Sequence, residues 1–207
     1  MPTSAPSSQS EEDSANSVAE DTCRYSKLKL RSVSSGVSVR PWPDKHQIGQ
    51  WQTLTSKITH KNPYYWVNED SVIRPDGTTG TYYVVSGREA IAVAALDSNH
   101  HVVLIELFRY TTGAMSIEVP MGALDENEPL VAAKRELQEE TGFVAHQWKK
   151  LGVLHPDNGI RNSTTHIFLA TELIQTGSND HVAEGTARTM KVPLMDAIRM
   201  VYSGEIQ

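Results

Sequence analysis

Alternating apolar positions set in near residue 50 and continue to the end of the chain. Residues 51–59 and 64–73 read as strands anchored by Trp51, Trp66, Val67, Val72 and Ile73. Pro75, Asp76 and Gly77 then supply a turn, and 82–85 a further strand. Two apolar strands follow at 90–96 and 101–107, joined by the polar run Asp97-Ser98-Asn99-His100, a hairpin signal. A second strand pair falls at 148–154 and 165–171. The period switches to that of a helix in two places. Leu130, Ala133 and Leu137 form one apolar stripe, and Leu194, Ala197, Ile198 and Val201 form another. Short apolar strands combined with few helices predict an α+β fold, an α/β/α sandwich around a mixed sheet, preceded by a small N-terminal β subdomain.

The helix near residue 130 is the best specified element. Pro129 suits the first turn, where its missing N–H costs nothing. Gly142 suits the position just past the last turn, where a left-handed residue caps the carbonyls. Within the helix, Glu136, Glu139 and Glu140 stand at i, i+3 and i+4, inside an arc of roughly 100°. Arg135 precedes Glu139 by four residues, close enough to hold a carboxylate. Three carboxylates on one face repel one another unless a cation lies among them, and an all-oxygen site suits Mg²⁺, or Mn²⁺ in its place. A solvated acidic face would balance its glutamates with lysine at i+4, a partner that Glu136 and Glu140 lack.

The stretch 122–143 resembles the Nudix box, written G-x5-E-x7-R-E-U-x-E-E-x-G-U with U a bulky apolar residue. Gly122, Glu128, Arg135, Glu136, Leu137, Glu139, Glu140, Gly142 and Phe143 fill it. The spacing between Glu128 and Arg135 is one residue shorter than the pattern, which leaves the role of Glu128 open and the Arg135–Glu140 core intact. The likeness covers about residues 45–206 and is closest to the ADP-ribose pyrophosphatase branch. It runs through Leu107-Phe108-Arg109-Tyr110, Glu118-Val119-Pro120-Met121-Gly122, His155-Pro156-Asp157-Asn158-Gly159 and Thr165-His166-Ile167-Phe168-Leu169-Ala170.

The resemblance implies hydrolysis of the diphosphate of a nucleoside diphosphate sugar, with ADP-ribose cut to AMP and ribose 5-phosphate. It implies metal ligands at Glu136, Glu139, Glu140 and a backbone carbonyl near Gly122, with Arg135 orienting the carboxylates. It implies a substrate contact from Arg109; Glu118 is a further substrate-binding candidate, and Arg161, in the loop facing the box, reads as either a phosphate or ribose contact or a surface arginine. The usual loop glutamate that serves as general base falls at Ser163, and a serine cannot take that role at neutral pH without a base of its own. A glutamate of the box, Glu184 in the polar loop 177–186, or metal-activated water alone remain as alternatives. A second substrate class, GDP-mannose or a dinucleotide, and a nucleotide-sensing module that does not cut its ligand stand beside the first reading. The branch also implies a homodimer built through the N-terminal strands, and members often run on through another short helix beyond the point where this chain stops.

Composition narrows the picture further. The chain has 207 residues and a formal net charge of −6, enough length for a core and the wrong sign for passive capture of nucleic acid or an anionic membrane. Cys23 is the only cysteine, so no intrachain disulfide forms. No apolar run approaches a membrane span and the N-terminus lacks the pattern of a signal peptide, which reads as cytoplasmic. Residues 1–23, rich in serine and acid, read as a disordered tail. The mixed segment 24–45 reads as a strand or a linker, so 24–85 is expected to form the N-terminal dimerisation subdomain and 86–207 the Nudix hydrolase domain. Among the remaining candidates, His166 alternates with apolar neighbours and reads as a strand histidine, His100 and His101 as turn residues, and Trp42, Trp51, Tyr64, Tyr65 and Trp66 as core, interface or base-stacking aromatics.

Overall fold

The computed structural model describes residues 47–125, 128–177 and 186–206. The expected tail at 1–23, the segment 24–45 with Trp42, and Glu184 all lie outside them.

Two sheets carry the fold. The first is an antiparallel sheet of β1 (Gln47–Ile48), β2 (Trp51–Lys61), β3 (Tyr65–Ile73) and β4 (Thr79–Gly87), in that order. The Pro75–Gly77 turn links β3 to β4, with Gly77 at φ 83° and Asp76 Oδ1 accepting the N–H of Thr78 at 2.9 Å. The second sheet is built on β5 (Ala90–Leu96), β6 (His101–Arg109), β7 (Ala114–Glu118), β8 (Met121–Ala123), β9 (Phe143–Leu154), β10 (Thr165–Gln175) and β11 (Thr186–Pro193). Its order is β11-β6-β5-β10-β9, with β7 on β6 and β8 on β5. β5 and β10 run parallel and the other pairs antiparallel, so the sheet is mixed as expected.

Helix α1 (Pro129–Thr141) lies on one face of this sheet and α2 (Leu194–Ser203) packs on the other. The β5 residues Ile91, Val93 and Ala95 face α1 and close a core with Ala132, Ala133, Leu137 and Phe168. Val102 and Leu104 of β6 face the other way and meet Ala197. Alternate residues of a strand point to opposite faces, which is why one β6 run serves both cores.

The structure adds four short or irregular strands, β1, β7, β8 and β11, and extends others. The strand expected at 82–85 spans Thr79–Gly87, and the one expected at 148–154 begins at Phe143. The hairpin between β5 and β6 forms, but its strands stay paired only at Ala95–Val103 and Leu96–Val102. They then splay, and the gap is filled by β8, which pairs with Ala90, Ile91 and Ala92. A three-residue strand has no periodicity of its own to read, so its place is set by the partner it finds.

Candidate active site

Strand β8 leads into α1 through a short turn, and the two elements place the site between them. Pro129 occupies the first helical turn and Glu128 the cap position. At the far end Gly142 adopts φ 70°, and its N–H donates to the Gln138 carbonyl at 2.9 Å. The helix is thereby fixed in length and in rotation, so Ala133 and Leu137 fall on the sheet and Glu136 and Glu140 turn toward β8.

Glu136 and Glu140 are buried, at 5% and 4% exposure, where carboxylates are rarely found unless they are partnered. Glu140 Oε2 accepts the backbone N–H of Met121 at 2.9 Å. The carboxylate of Glu136 lies against the Cα of Gly122 so closely that a Cβ there would overlap it. Arg135 ties the arrangement together. Its guanidinium lies 2.7 Å from Glu136 Oε1 and donates to Glu139 Oε2 at 2.7 Å and to the Ala123 carbonyl at 3.4 Å. Glu139 is half exposed and turned to Arg135. Among the described residues no three acidic, histidine or cysteine side chains are gathered into a metal-holding group. The helix therefore brings the expected carboxylates to one edge, with Glu139 drawn aside by the arginine. Glu128 is exposed and sits at the helix cap.

The donor chemistry nevertheless suits a hard divalent cation. All the side chains offered are carboxylates, two of them buried beside backbone groups, and the missing Cβ of Gly122 leaves the space that Glu136 uses.

Arg109 and Glu118 meet across β6 and β7 in a two-pronged pair, Nε to Oε1 at 2.9 Å and Nη2 to Oε2 at 2.5 Å. The Arg109 hydrogen bonds hold the Glu118 carboxyl below its ordinary pKa, against the opposing effect of burial. Arg161 stands elsewhere, in the loop before β10, where it borders a cavity of about 270 Å³ under the first sheet. Ser163 is buried at 6% exposure. His166 pairs through Nε2 with Glu89 at 2.9 Å, a strand histidine as expected. His100 is exposed in its turn, and Trp51 packs edge-on against Tyr82 at 5.6 Å.

Three features are invisible as motif residues: the Met121 N–H and the Ala123 carbonyl at the helix, and Asp70, buried in the wall of the cavity that Arg161 borders. The first two are backbone groups. Asp70 carried a signal, because Asn68, Asp70 and Val72 alternate on one face of β3, and an acidic residue in phase with a buried valine is unusual.

Comparison with known proteins now decides the family. Residues 86–202 match the NUDIX domain, more than half of the chain. The chain belongs to the Nudix hydrolases. Residues 51–85 match the nucleoside diphosphate sugar hydrolase N-terminal domain, which corresponds to the first sheet. An ADP-ribose pyrophosphatase of Mycobacterium tuberculosis is 32% identical over 159 residues, spanning 75% of this chain and 77% of the relative. One from Bacillus subtilis is 30% identical, spanning 66% and 75%. A GDP-mannose pyrophosphatase of Klebsiella pneumoniae is 32% identical over a shorter stretch, 51% and 58%. The crystal structure of an ADP compounds hydrolase superimposes with a TM-score of 0.66 at 21% identity, covering 76% of this chain and 85% of that one, a likeness of fold. Nudix hydrolases use a divalent metal, in keeping with the oxygen-only donors at this site. Among the described residues no helix is long and apolar enough to cross a membrane.

Proposed function

We propose that this Nudix hydrolase cleaves the diphosphate of nucleoside diphosphate sugars, with ADP-ribose converted to AMP and ribose 5-phosphate as its principal reaction. The observation that carries the reading is the pair of buried carboxylates, Glu136 against Gly122 and Glu140 on the Met121 N–H. Gathering two buried carboxylates beside a third on one helix is costly even with Arg135 and the Met121 N–H as partners, and a divalent cation offsets that cost. The ADP-ribose pyrophosphatases among its relatives favour the adenine diphosphate sugar. The GDP-mannose pyrophosphatases make the guanine counterpart the second reading.

Mg²⁺, or Mn²⁺, would be held by Glu136, Glu139 and Glu140 with a carbonyl near Gly122. When bound, it neutralises charge on the phosphate oxygens and lowers the pKa of a water. The chain does the remaining work. Arg135 orients Glu136 and Glu139, and Glu139 must turn from that arginine to join the other two. Arg109, fixed by Glu118, offers a cation to the substrate, as does Arg161. A water oxygen bonds to one phosphorus while the bridging P–O bond breaks and the leaving phosphate departs. The water's proton passes to a carboxylate, for which Glu184 and a glutamate of α1 are the candidates. Ser163, buried at 6% exposure, could take that role at neutral pH only with a base of its own.

The first sheet, with 24–85, forms the dimerisation subdomain and 86–207 the catalytic domain of a cytoplasmic homodimer. The exposed aromatics Tyr65 and Tyr83 on that sheet, with Tyr64 in its β2–β3 connection, support a protein interface.

The test is incubation with ADP-ribose and Mg²⁺, with AMP measured for the wild type and for Glu140→Gln. AMP from the wild type and its loss in the variant are expected. Binding of ADP-ribose without AMP would replace the hydrolase reading with a nucleotide sensor.

A further inference from the structure

Asparagine is a chemically labile side chain, and a glycine after it leaves the main chain room to attack it. Asn158–Gly159 is the only asparagine–glycine pair in the sequence. It stands in the loop before β10, and both residues are exposed. Among the described residues, neither the Asn158 carboxamide nor the Gly159 N–H has a hydrogen-bond partner. A Cβ at Gly159 would meet no atom within 4 Å, so the ring that the attack forms has space.

The Asp76–Gly77 turn supplies the contrast, because an aspartate before glycine can close the same ring. There the Gly77 N–H is donated to the Arg74 carbonyl at 2.9 Å. Asp76 Oδ1 accepts the N–H of Thr78 at 2.9 Å and its hydroxyl at 2.7 Å. Both reacting groups are occupied. The loop at 157–161 is held at points on either side of the reacting bond. The Asp157 carbonyl accepts the N–H groups of Ile160 at 2.9 Å and Arg161 at 2.7 Å. Tyr82 Oη donates to the Gly159 carbonyl at 2.7 Å, and the Val85 N–H to the Ile160 carbonyl at 2.8 Å. These bonds set the length of chain between Asp157 and Ile160 but leave the Asn158 side chain and the Gly159 nitrogen untouched. The rotation that brings those two together is a local opening of an exposed turn.

We propose that Asn158 is a modification site at which the chain, without an enzyme, converts itself to aspartate and isoaspartate. The Gly159 nitrogen gives up its proton to solvent and bonds to Cγ of Asn158, and the side-chain amide departs as ammonia, leaving a succinimide. Water then adds to one of the two ring carbonyls. Opening on one side gives aspartate; opening on the other gives isoaspartate, in which the main chain runs through the former side chain. The net change is one water consumed and one ammonia released. Isoaspartate adds an atom to the main chain between the anchored carbonyls of Asp157 and Gly159, so the turn and the Tyr82 anchor no longer fit together. Either product sets a new carboxylate three residues before Arg161, whose guanidinium lies 4.0 Å from Asp157, and a second acid then competes for it. The loss of Arg161 to the substrate rests on the nucleoside diphosphate sugar reading above; the conversion itself does not.

The experiment ages the full chain for days in mildly alkaline buffer and digests it with trypsin, which releases residues 151–161 as one peptide. Mass spectrometry should show this peptide gaining one mass unit. An isoaspartate carboxyl methyltransferase should transfer a labelled methyl group to it and none to the segment holding Asp76 and Gly77. A methyl group on the attacking residue crowds the ring closure, so Gly159→Ala should convert about tenfold more slowly. The aged wild type should melt below its fresh form, and aged Gly159→Ala should not. An unchanged 151–161 peptide, equal conversion in Gly159→Ala, or conversion that leaves the melting temperature where it was would each overturn the proposal. If Gly159→Ala fails to fold, Asn158→Ser, which has no carboxamide, takes its place. It must keep its mass and its melting temperature on ageing, and a fall like that of the wild type sinks the assignment. None of these readouts depends on turnover, so a protein that cuts no diphosphate sugar tests the site equally well.

Discussion

The Cα of Gly122 and the carboxylate of Glu136 occupy neighbouring space that leaves no room for a side chain at position 122. Any residue but glycine there pushes the carboxylate off the sheet edge or tilts α1. Gly122→Ala should therefore lower kcat/KM by about 100-fold, the scale of a 1 Å misplacement at a reacting centre. Ala123→Gly, one residue on, should leave most of the activity. Steady-state kinetics on both variants checks this, and a fully active Gly122→Ala would mean that Glu136 takes no part.

Arg135 contacts two carboxylates and a backbone carbonyl at once, a task suited to a planar fork of donors. Arg135→Lys keeps the charge but cannot reach all three. Turnover should fall by about 10–100-fold, as for other residues that orient metal ligands, while the circular dichroism spectrum stays unchanged. The metal concentration for half-maximal activity should rise in parallel. Wild-type turnover and metal dependence in the variant would remove Arg135 from the site.

Glu118 is held below its ordinary pKa of 4.5 by Arg109. Because the folded value is the lower one, the pair stabilises the protein above the usual carboxylate range, and the stabilisation is lost as pH falls through the lowered value. Glu118→Gln should cost about 1.5 kcal/mol at neutral pH, the scale of a charge-assisted hydrogen bond, and less in acid. Thermal melts of both proteins from neutral to acid pH should converge at the acid end; parallel curves would show that the pair does not couple to folding.

Asp97 closes the β5–β6 turn by accepting the N–H groups of His101 and Asn99, each at 2.9 Å, with Lys191 at 3.4 Å. These bonds, led by that from His101, bring its pKa from 3.8 down to about 2. The folded value is again the lower, so the turn's contribution persists at neutral pH and disappears between about pH 4 and pH 2. Asp97→Asn should melt below the wild type at pH 7 and close to it at pH 2. A gap that does not change with pH would rule out the ionised carboxyl as its source.

Much of the second sheet was legible because its strands repeat apolar residues long enough to show a period, as in 90–96 and 101–107. Helix α1 was legible down to its caps, since Pro129 and Gly142 act through local backbone preferences that need no partner. Strands β7 and β8 were not, because Ala114–Glu118 and Met121–Ala123 are too short to carry a pattern and are strands only by pairing with β6 and β5.

The sequence by itself determined the helix, its three glutamates and the arginine among them, because a helix of 3.6 residues per turn converts spacing directly into a shared face. It put Arg135 within reach of Glu139 by i+4 spacing, but did not determine that Glu136 and Glu140 would be buried. That outcome depends on which side of α1 the sheet covers, and on backbone atoms of Met121, Gly122 and Ala123 that look alike in any sequence. Nor could it pair Arg109 with Glu118 or set Asp70 in a cavity wall facing residues 158–162. Those contacts join residues far apart in the chain or fix a rotamer, and only the packed tertiary structure decides either.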